Sequence, residues 1–201
     1  MYSEKIMYVK NGKCRPFPNK TKSMAFIADT HGLLEDWQVK EISNCDFVFL
    51  LGDHLLGDIA KVCKYIPNKK IFGVQGNHDT DYFDEFGVKN IHGKVFQLNG
   101  IKILGMGGSY KYKNGDFPLL TQEECENILK DKPSVDLLIT HDGWYSPNNE
   151  VAKRGLMGIG KYIYDKKVPL HIHGHQHISF EKKHFNGTVE IGVGMNQILI
   201  L

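Results

Sequence analysis

Apolar residues in this chain gather in short unbroken runs, and each run stops abruptly at a polar stretch that contains aspartate, asparagine or histidine. Met24 to Ala28, Phe47 to Leu51, Ile71 to Val74 and Leu137 to Ile139 have the continuity of strands buried on both faces, while the run from Val168 to His173 is mixed. A helical stretch around Glu35 to Ser43 separates the first two runs, which predicts a βαβ unit and a parallel start to the sheet. Asp58 to Ile66 sets Ile59, Val62, Cys63 and Ile66 at helical spacing, with Asp58 as the predicted N-cap and Pro67-Asn68 as the stop.

The middle of the chain changes period. Val95 to Leu98 and Ile101 to Leu104 flank Asn99-Gly100, a strong hairpin signal that brings antiparallel strands into the sheet. Residues 105–118 read as a long glycine-bearing loop, and Thr121-Gln-Glu-Glu124 starts a helix as a capping box. A further helix is predicted near Gly160 to Asp165, and Ser179 to Leu201 reads as a β-meander with a turn at Asn186-Gly187. Residues 1–22 are polar and interrupted by Pro16 and Pro18, with Tyr8 and Val9 hinting at one short strand. The expected organisation is an N-terminal arm over 1–22 and a single domain over 23–201.

Composition narrows the class without naming it. At 201 residues, 41% hydrophobic and 24% charged, the chain is sized for one well-buried core. A formal net charge of +2, carried with scattered lysines, gives no electrostatic footprint for nucleic acid or membrane. No apolar run approaches bilayer length and no leader pattern opens the chain, so no membrane partner is expected and the mature protein is expected to be the whole chain. Cys14, Cys45, Cys63 and Cys125 lie far apart with no CxxC pair, which argues against a disulfide framework and for a reduced, cytoplasmic setting. Arginine is scarce, with only Arg15 and Arg154.

The chemistry lies where the runs stop. Five clusters follow the five runs: Asp29-Thr30-His31-Gly32, Gly52-Asp53, Gly76-Asn77-His78-Asp79, Thr140-His141 and Gly174-His175-Gln176-His177. In an open α/β sheet, side chains at the carboxyl ends of strands share one cleft, so clusters distant in sequence are expected to meet. They supply carboxylate, amide oxygen and imidazole with no sulfur, the donors of hard or borderline divalent cations. Asp29 and His31, two apart, suit one ion; His175 and His177 have the same spacing and serve one ion or two neighbours. Asp53 is the natural bridge, since one carboxylate gives an oxygen to each of two ions about 3.5–4 Å apart.

This ordered set, DxH, GD, GNHD, H and GHxH from Asp29 to His177, resembles the calcineurin-like metallophosphoesterase superfamily. The resemblance implies an α/β fold in which a two-sheet β-sandwich of mixed strands is flanked by helices. It also implies that Asp29, His31, Asp53 and His177 hold one ion and that Asp53, Asn77, His141 and His175 hold a second. A water activated between the ions would attack phosphorus, with His78 as acid or charge stabiliser and Asp79 placed to orient it. Manganese is the expected metal, with Fe, Zn, Ni and Mg as alternatives.

Two departures separate the chain from the protein Ser/Thr phosphatases of that superfamily. Their arginine after the bridging aspartate is missing from Gly52-Asp-His-Leu-Leu-Gly-Asp58, and GNHD stands in place of GNHE. A monoester dianion gains more from an arginine clamp than a diester monoanion does, and Arg154 is the one candidate clamp. The expected activity is therefore phosphodiester hydrolysis. A phosphomonoesterase is the first alternative, and a noncatalytic metal-binding scaffold is an alternative of another class. Nucleic acid stays among the candidate substrates, although no basic surface or capping domain indicates it; a homodimer is common for small enzymes. His54 is a candidate for substrate contact or a neutral histidine behind the ligands. His171 and His173 share a strand face and read as packing or outer groups, and His92 and His184 as exposed. Tyr110, Tyr112 and Trp144 read as packing or as stacking groups for a base.

Overall fold

The protein is described from a computed structural model over residues 7–10, 13–16, 23–66, 70–145 and 155–201. Met7–Lys10 (β1) and Lys13–Pro16 (β2) form an antiparallel pair of their own. The core then begins with β3 (Met24–Ala28), α1 (Asp36–Ile42), β4 (Phe47–Leu50), α2 (Leu56–Tyr65) and β5 (Lys70–Gly73). Next come α3 (Phe83–Phe86), β6 (Lys89–Asn90), β7 (Val95–Leu98), β8 (Ile101–Met106), β9 (Ser109–Tyr110) and β10 (Leu119–Leu120). The chain closes with α4 (Gln122–Leu129), β11 (Leu137–Thr140), α5 (Met157–Lys166), β12 (Leu170–His173), β13 (Phe180–Lys183), β14 (Val189–Gly192) and β15 (Gln197–Ile200).

Two sheets pack face to face, one in the order β15-β3-β4-β5-β6 and the other β13-β14-β12-β11-β8-β7. Their inner strands are parallel, and β15, β13 and β7 close the edges antiparallel. Alternation explains the layers. Met24, Phe26 and Ala28 face the second sheet, whereas Ala25 and Ile27 face the layer that includes Val39 and Ile42 of α1 and Ile59 and Val62 of α2. Leu104, Leu138 and Met106 likewise pack outward against α4 and α5. The expected sandwich flanked by helices is the observed fold.

A ladder of phenylalanine rings fills the space between the sheets. Phe26, Phe49 and Phe72 stack across β3, β4 and β5 with centroids 5.0 and 5.2 Å apart, and Phe96 of the opposite sheet stacks on Phe72 at 5.2 Å. Among the described residues no helix is long and apolar enough to cross a membrane.

Several local expectations hold. Thr121 caps α4 with Glu124 reaching back to it, and Asn99-Gly100 turns the β7–β8 hairpin with φ of 49° and 83°. Others are corrected. Leu55, not Asp58, is the N-cap of α2; the Asp58 carboxylate instead accepts the Gly32 N–H at 2.7 Å and ties the helix to the first cluster. The predicted C-terminal meander is broken. β13 and β14 form its hairpin, but β15 leaves for the other sheet, because β3 offers an open edge there and Ile198 and Leu199 pack into the layers on its two faces. The 105–118 loop is shortened by β8, which runs to Met106, and by the parallel pairing of β9 with β10. Pro67-Asn68 lies outside the described residues.

Phe49 is central to the ring ladder and fully buried. Phe49→Ala is expected to cost about 3–5 kcal/mol in urea unfolding. A loss below about 1 kcal/mol would show that the ladder does not carry the core.

Candidate metal centre

All five clusters sit just beyond, or at the end of, parallel strands: β3, β4 and β5 of one sheet, β11 and β12 of the other. The connecting backbone bends sharply there. Asp29, His31, Asp53, His175 and His177 have positive φ, between 47° and 63°, and make up five of the eight such non-glycine residues among those described. Each left-handed residue costs on the order of 1–2 kcal/mol, so the surrounding bonds must hold it. They are present: Asp29 N–H donates to Gly52 O at 3.0 Å, His31 N–H to Asp53 O at 3.2 Å, and His175 N–H to Asp29 Oδ2 at 2.8 Å. Gly76 permits the closest approach, since a Cβ there would lie 2.1 Å from Asp53 Oδ1 and 2.6 Å from the His141 ring.

Two groups of donors result. Asp29, His31 and His177 form one and Asp53, His141 and His175 the other, with the ligand atoms of each group within 4.8 Å of one another. His177 Nε2 lies 3.5 Å from Asp29 Oδ1 and 3.4 Å from His31 Nε2. Asp53 Oδ2 joins the groups, 3.9 Å from His31 Nε2 and 3.7 Å from His141 Nε2. Asn77 enters the second group through Oδ1, 3.1 Å from His141 Nε2, while its amide N–H₂ donates to Tyr112 OH at 3.3 Å.

The donor set fits cations. Asp29 Oδ1 is buried without a hydrogen-bond partner, and burial, followed by the nearby Asp53, pushes its carboxyl up to about 8. A negative charge at that depth requires a compensating positive one. His141 donates Nδ1–H to Leu51 O at 2.8 Å, so its Nε2 carries a lone pair that faces the Asn77 carbonyl oxygen. Two acceptors in contact repel unless a cation lies between them. Burial also pushes His141 and His175 down to about 3, which keeps both rings neutral, as metal ligands must be.

The model of one family, calcineurin-like phosphoesterase, matches residues 23–179. The chain belongs to that family. It is a metal-dependent phosphoester hydrolase, and its family works through a dinuclear divalent centre. No curated protein matches it. Among solved structures, phosphopantetheinyl hydrolase from Mycobacterium tuberculosis superposes with a TM-score of 0.58 at 13% identity, covering 86% of this chain and 89% of that one. A putative 5'-nucleotidase from Staphylococcus aureus gives 0.56 at 16% identity, over 89% of this phosphoesterase and 51% of the other chain. A 5'-nucleotidase from Candida albicans gives 0.57 at 15%, over 86% and 45%. At these identities the likeness is one of fold, and the chain spans about half of either nucleotidase.

The remaining residues singled out in the sequence fall into place differently. His78 is exposed, its ring 5.8 Å from that of His31, and its backbone N–H donates to Asp53 Oδ1 at 2.8 Å. Asp79 does not orient it. The Asp79 carboxylate accepts three backbone N–H groups, from Asp53 at 2.9 Å, His54 at 2.7 Å and Gly76 at 2.7 Å, and so staples two ligand loops together. His54, a candidate substrate contact, is only 5% exposed, and its Nδ1 meets Thr30 Oγ1 at 2.9 Å behind the ligand loops. Arg154 lies outside the described residues. His92 and His184 are not the exposed groups expected: His92 Nδ1 accepts the Gly107 N–H at 3.0 Å, and the His184 side chain is 8% exposed. Tyr110 and Trp144 pack against the α4–α5 layer.

One contributor was not singled out. Asp142 is buried 4.0 Å from His175 Nε2, and its carboxylate accepts the N–H groups of Tyr110 at 3.0 Å and Gly143 at 2.8 Å. Its place directly after His141 at a strand end was the available signal.

Two outcomes follow. Asp79→Ala leaves three buried N–H groups without their acceptor, and metal affinity measured by calorimetry is expected to fall at least about tenfold, with a loss of about 3 kcal/mol in stability. In metal-stripped protein, the raised Asp29 carboxyl favours the fold while protonated and loses that contribution as pH rises through about 8. The stability of Asp29→Asn relative to wild type, both stripped, should therefore increase between pH 6 and pH 9 by a few kcal/mol in urea titrations. A pH-independent difference would place Asp29 in a solvated or already compensated site.

Proposed function

We propose that the protein is a phosphodiesterase of this family, with manganese in its dinuclear centre. The observation that carries the reading is the cationic complement of the cleft. Among the described residues, the polar contacts of the ligand set run to histidine, aspartate, asparagine, tyrosine and backbone, and none to lysine or arginine. Lys113, in the loop that carries Tyr112, lies over the rings of Tyr112 and Phe117. Among the described residues, a ligand set with no lysine or arginine against it suits the single charge of a diester better than the double charge of a monoester.

Asp29, His31 and His177 would hold one ion and Asn77, His141 and His175 the other, with Asp53 shared. The bound ions supply Lewis acidity to the phosphoryl oxygens and lower the pKa of a water. His78 is exposed at the rim beside His31, and among the described residues no hydrogen bond engages its ring, so it is the group that would reach a leaving oxygen. Tyr112 braces Asn77 through its hydroxyl and leaves half of its ring open to a substrate. The fold-level likeness to a phosphopantetheinyl hydrolase, over 86% of this chain and 89% of that one, is compatible with a small substrate.

Stripped protein with manganese added back is expected to cleave bis-p-nitrophenyl phosphate faster than p-nitrophenyl phosphate. Manganese should exceed magnesium, zinc, nickel and iron as activator. His78→Ala should lose about 10²–10⁴-fold in kcat with metal content intact, and Asp53→Asn should lose metal as well as activity. Preference for the monoester would move the reading to a phosphomonoesterase. Full metal occupancy with no turnover of either ester would favour a scaffold or a narrowly specific enzyme.

A further inference from the structure

The outer face of the second sheet carries another gathering of ligand-type side chains, apart from the two groups at the strand ends. His171 and His173 of β12 and Glu190 of β14 lie on that face, with His171 and Glu190 directly paired in register. His173 Nε2 is 3.3 Å from Glu190 Oε1, His171 Nδ1 is 4.0 Å from the same oxygen, and all three atoms lie within 4.8 Å of one another. Both imidazoles are 0% exposed and Glu190 is 4% exposed, so water does not screen the cluster.

The protons of the two rings are committed elsewhere. Thr140 Oγ1 gives its hydrogen to Asp142 O at 2.5 Å, so its 2.8 Å contact with His171 is the Nε2–H of that ring donating to it. His173 donates Nδ1–H to Gly174 O at 2.9 Å. In their neutral forms the two rings then turn the lone pairs of His171 Nδ1 and His173 Nε2 inward, where Glu190 Oε1 is the polar atom that faces both. Burial, followed by the neighbouring His173, holds His171 down to about 3, which keeps it neutral. Two lone pairs and a carboxylate oxygen converge in a dry space, an arrangement that calls for a cation.

The geometry points to a third divalent-cation site, a zinc site formed by His171 Nδ1, His173 Nε2 and Glu190 Oε1, distinct from the dinuclear centre. A tetrahedral zinc ion with bonds of about 2.0–2.1 Å holds its ligand atoms about 3.4 Å apart; His173 Nε2 and Glu190 Oε1 stand 3.3 Å apart and His171 Nδ1, at 4.0 Å from that oxygen, would have to move in, and two imidazoles with one carboxylate are ordinary zinc donors. His184 Nε2 donates to the other oxygen of Glu190 at 2.8 Å and so fixes the carboxylate, as groups behind a metal ligand do. The Trp144 ring, 4.1 Å from that of His184, backs it. The site clamps β12 to β14 immediately before the Gly174–His177 loop, where it sets the position of two ligands of the main centre.

The test uses no substrate and is independent of the diesterase reading. Crystals of the full chain grown with zinc are measured on both sides of the zinc absorption edge. The expected result is an anomalous peak bonded to His171, His173 and Glu190, in addition to those at the strand-end ligands. In solution, zinc per chain after dialysis should fall by one equivalent in Glu190→Gln, with folding checked by circular dichroism. Peaks at the strand ends alone, or equal zinc in wild type and folded Glu190→Gln, would overturn the site and leave a proton between His173 and Glu190. Should Glu190→Gln fail to fold, the anomalous map of the wild type decides.

Discussion

Buried negative charge at the mouth of the sandwich is the constraint around which the rest is arranged. Asp29, Asp53, Asp79 and Asp142 are all nearly inaccessible, and they converge from four strand ends. Two kinds of compensation are visible. Asp79 and Asp142 are met by backbone N–H groups, which need no cation, although burial still pushes both carboxyls up to about 7. Asp29 and Asp53 each accept one backbone N–H, from His175 and His78, and turn the other oxygen toward histidine nitrogens, where the proposed ions would supply the compensation. Backbone N–H groups thus occupy both oxygens of the carboxylates that shape the loops and one oxygen of each of the other two.

Left-handed backbone follows from the same demand. A strand that simply continued would carry Asp29 or Asp53 past the cleft, so the chain must turn within one residue and present side chain and amide to the same side. Asp and His adopt positive φ at a cost that glycine escapes, yet glycine has no ligand to offer. The sequence therefore pairs them. Gly32, Gly52, Gly76 and Gly174 stand next to the ligands, and where a Cβ would strike Asp53, His141 or Asp29 the glycine is what lets loops from different strands interlock.

Much of this was legible because the relevant signals are local. Continuous apolar runs mark strands buried on two faces, and the punctuation after each run marks the cleft, so the residues that gather there could be listed from the sequence. What escaped depended on partners distant in the chain. Asp58 has the form of an N-cap, but a neighbouring loop amide took its carboxylate. Asp79 looked like an orienter of the histidine beside it, whereas its real partners include residues 25 and 26 positions earlier. β15 follows a hairpin yet pairs with the first core strand, since edge closure is a property of the assembled sheet. His171 and His173 read as packing groups, because nothing in the sequence places Glu190 between them.

The ligand groups also explain why the two sheets must be packed so firmly. Asp29 and His31 come from β3 and His177 from β12; Asp53 comes from β4, and His141 and His175 from β11 and β12. Each group straddles the seam between the sheets, so neither sheet alone contains a complete site. A shift of one sheet against the other by about 1 Å would spoil both groups, given how little bond-length tolerance a metal site has. Of the stacked rings, Phe26, Phe49 and Phe72 line β3, β4 and β5, and Phe96 of β7 meets Phe72 across the seam. Core packing and the geometry of the strand-end groups are then one mechanical problem, since Leu137, Ile139 and Ile172 of β11 and β12 share one core with Phe26 and Phe49 of β3 and β4.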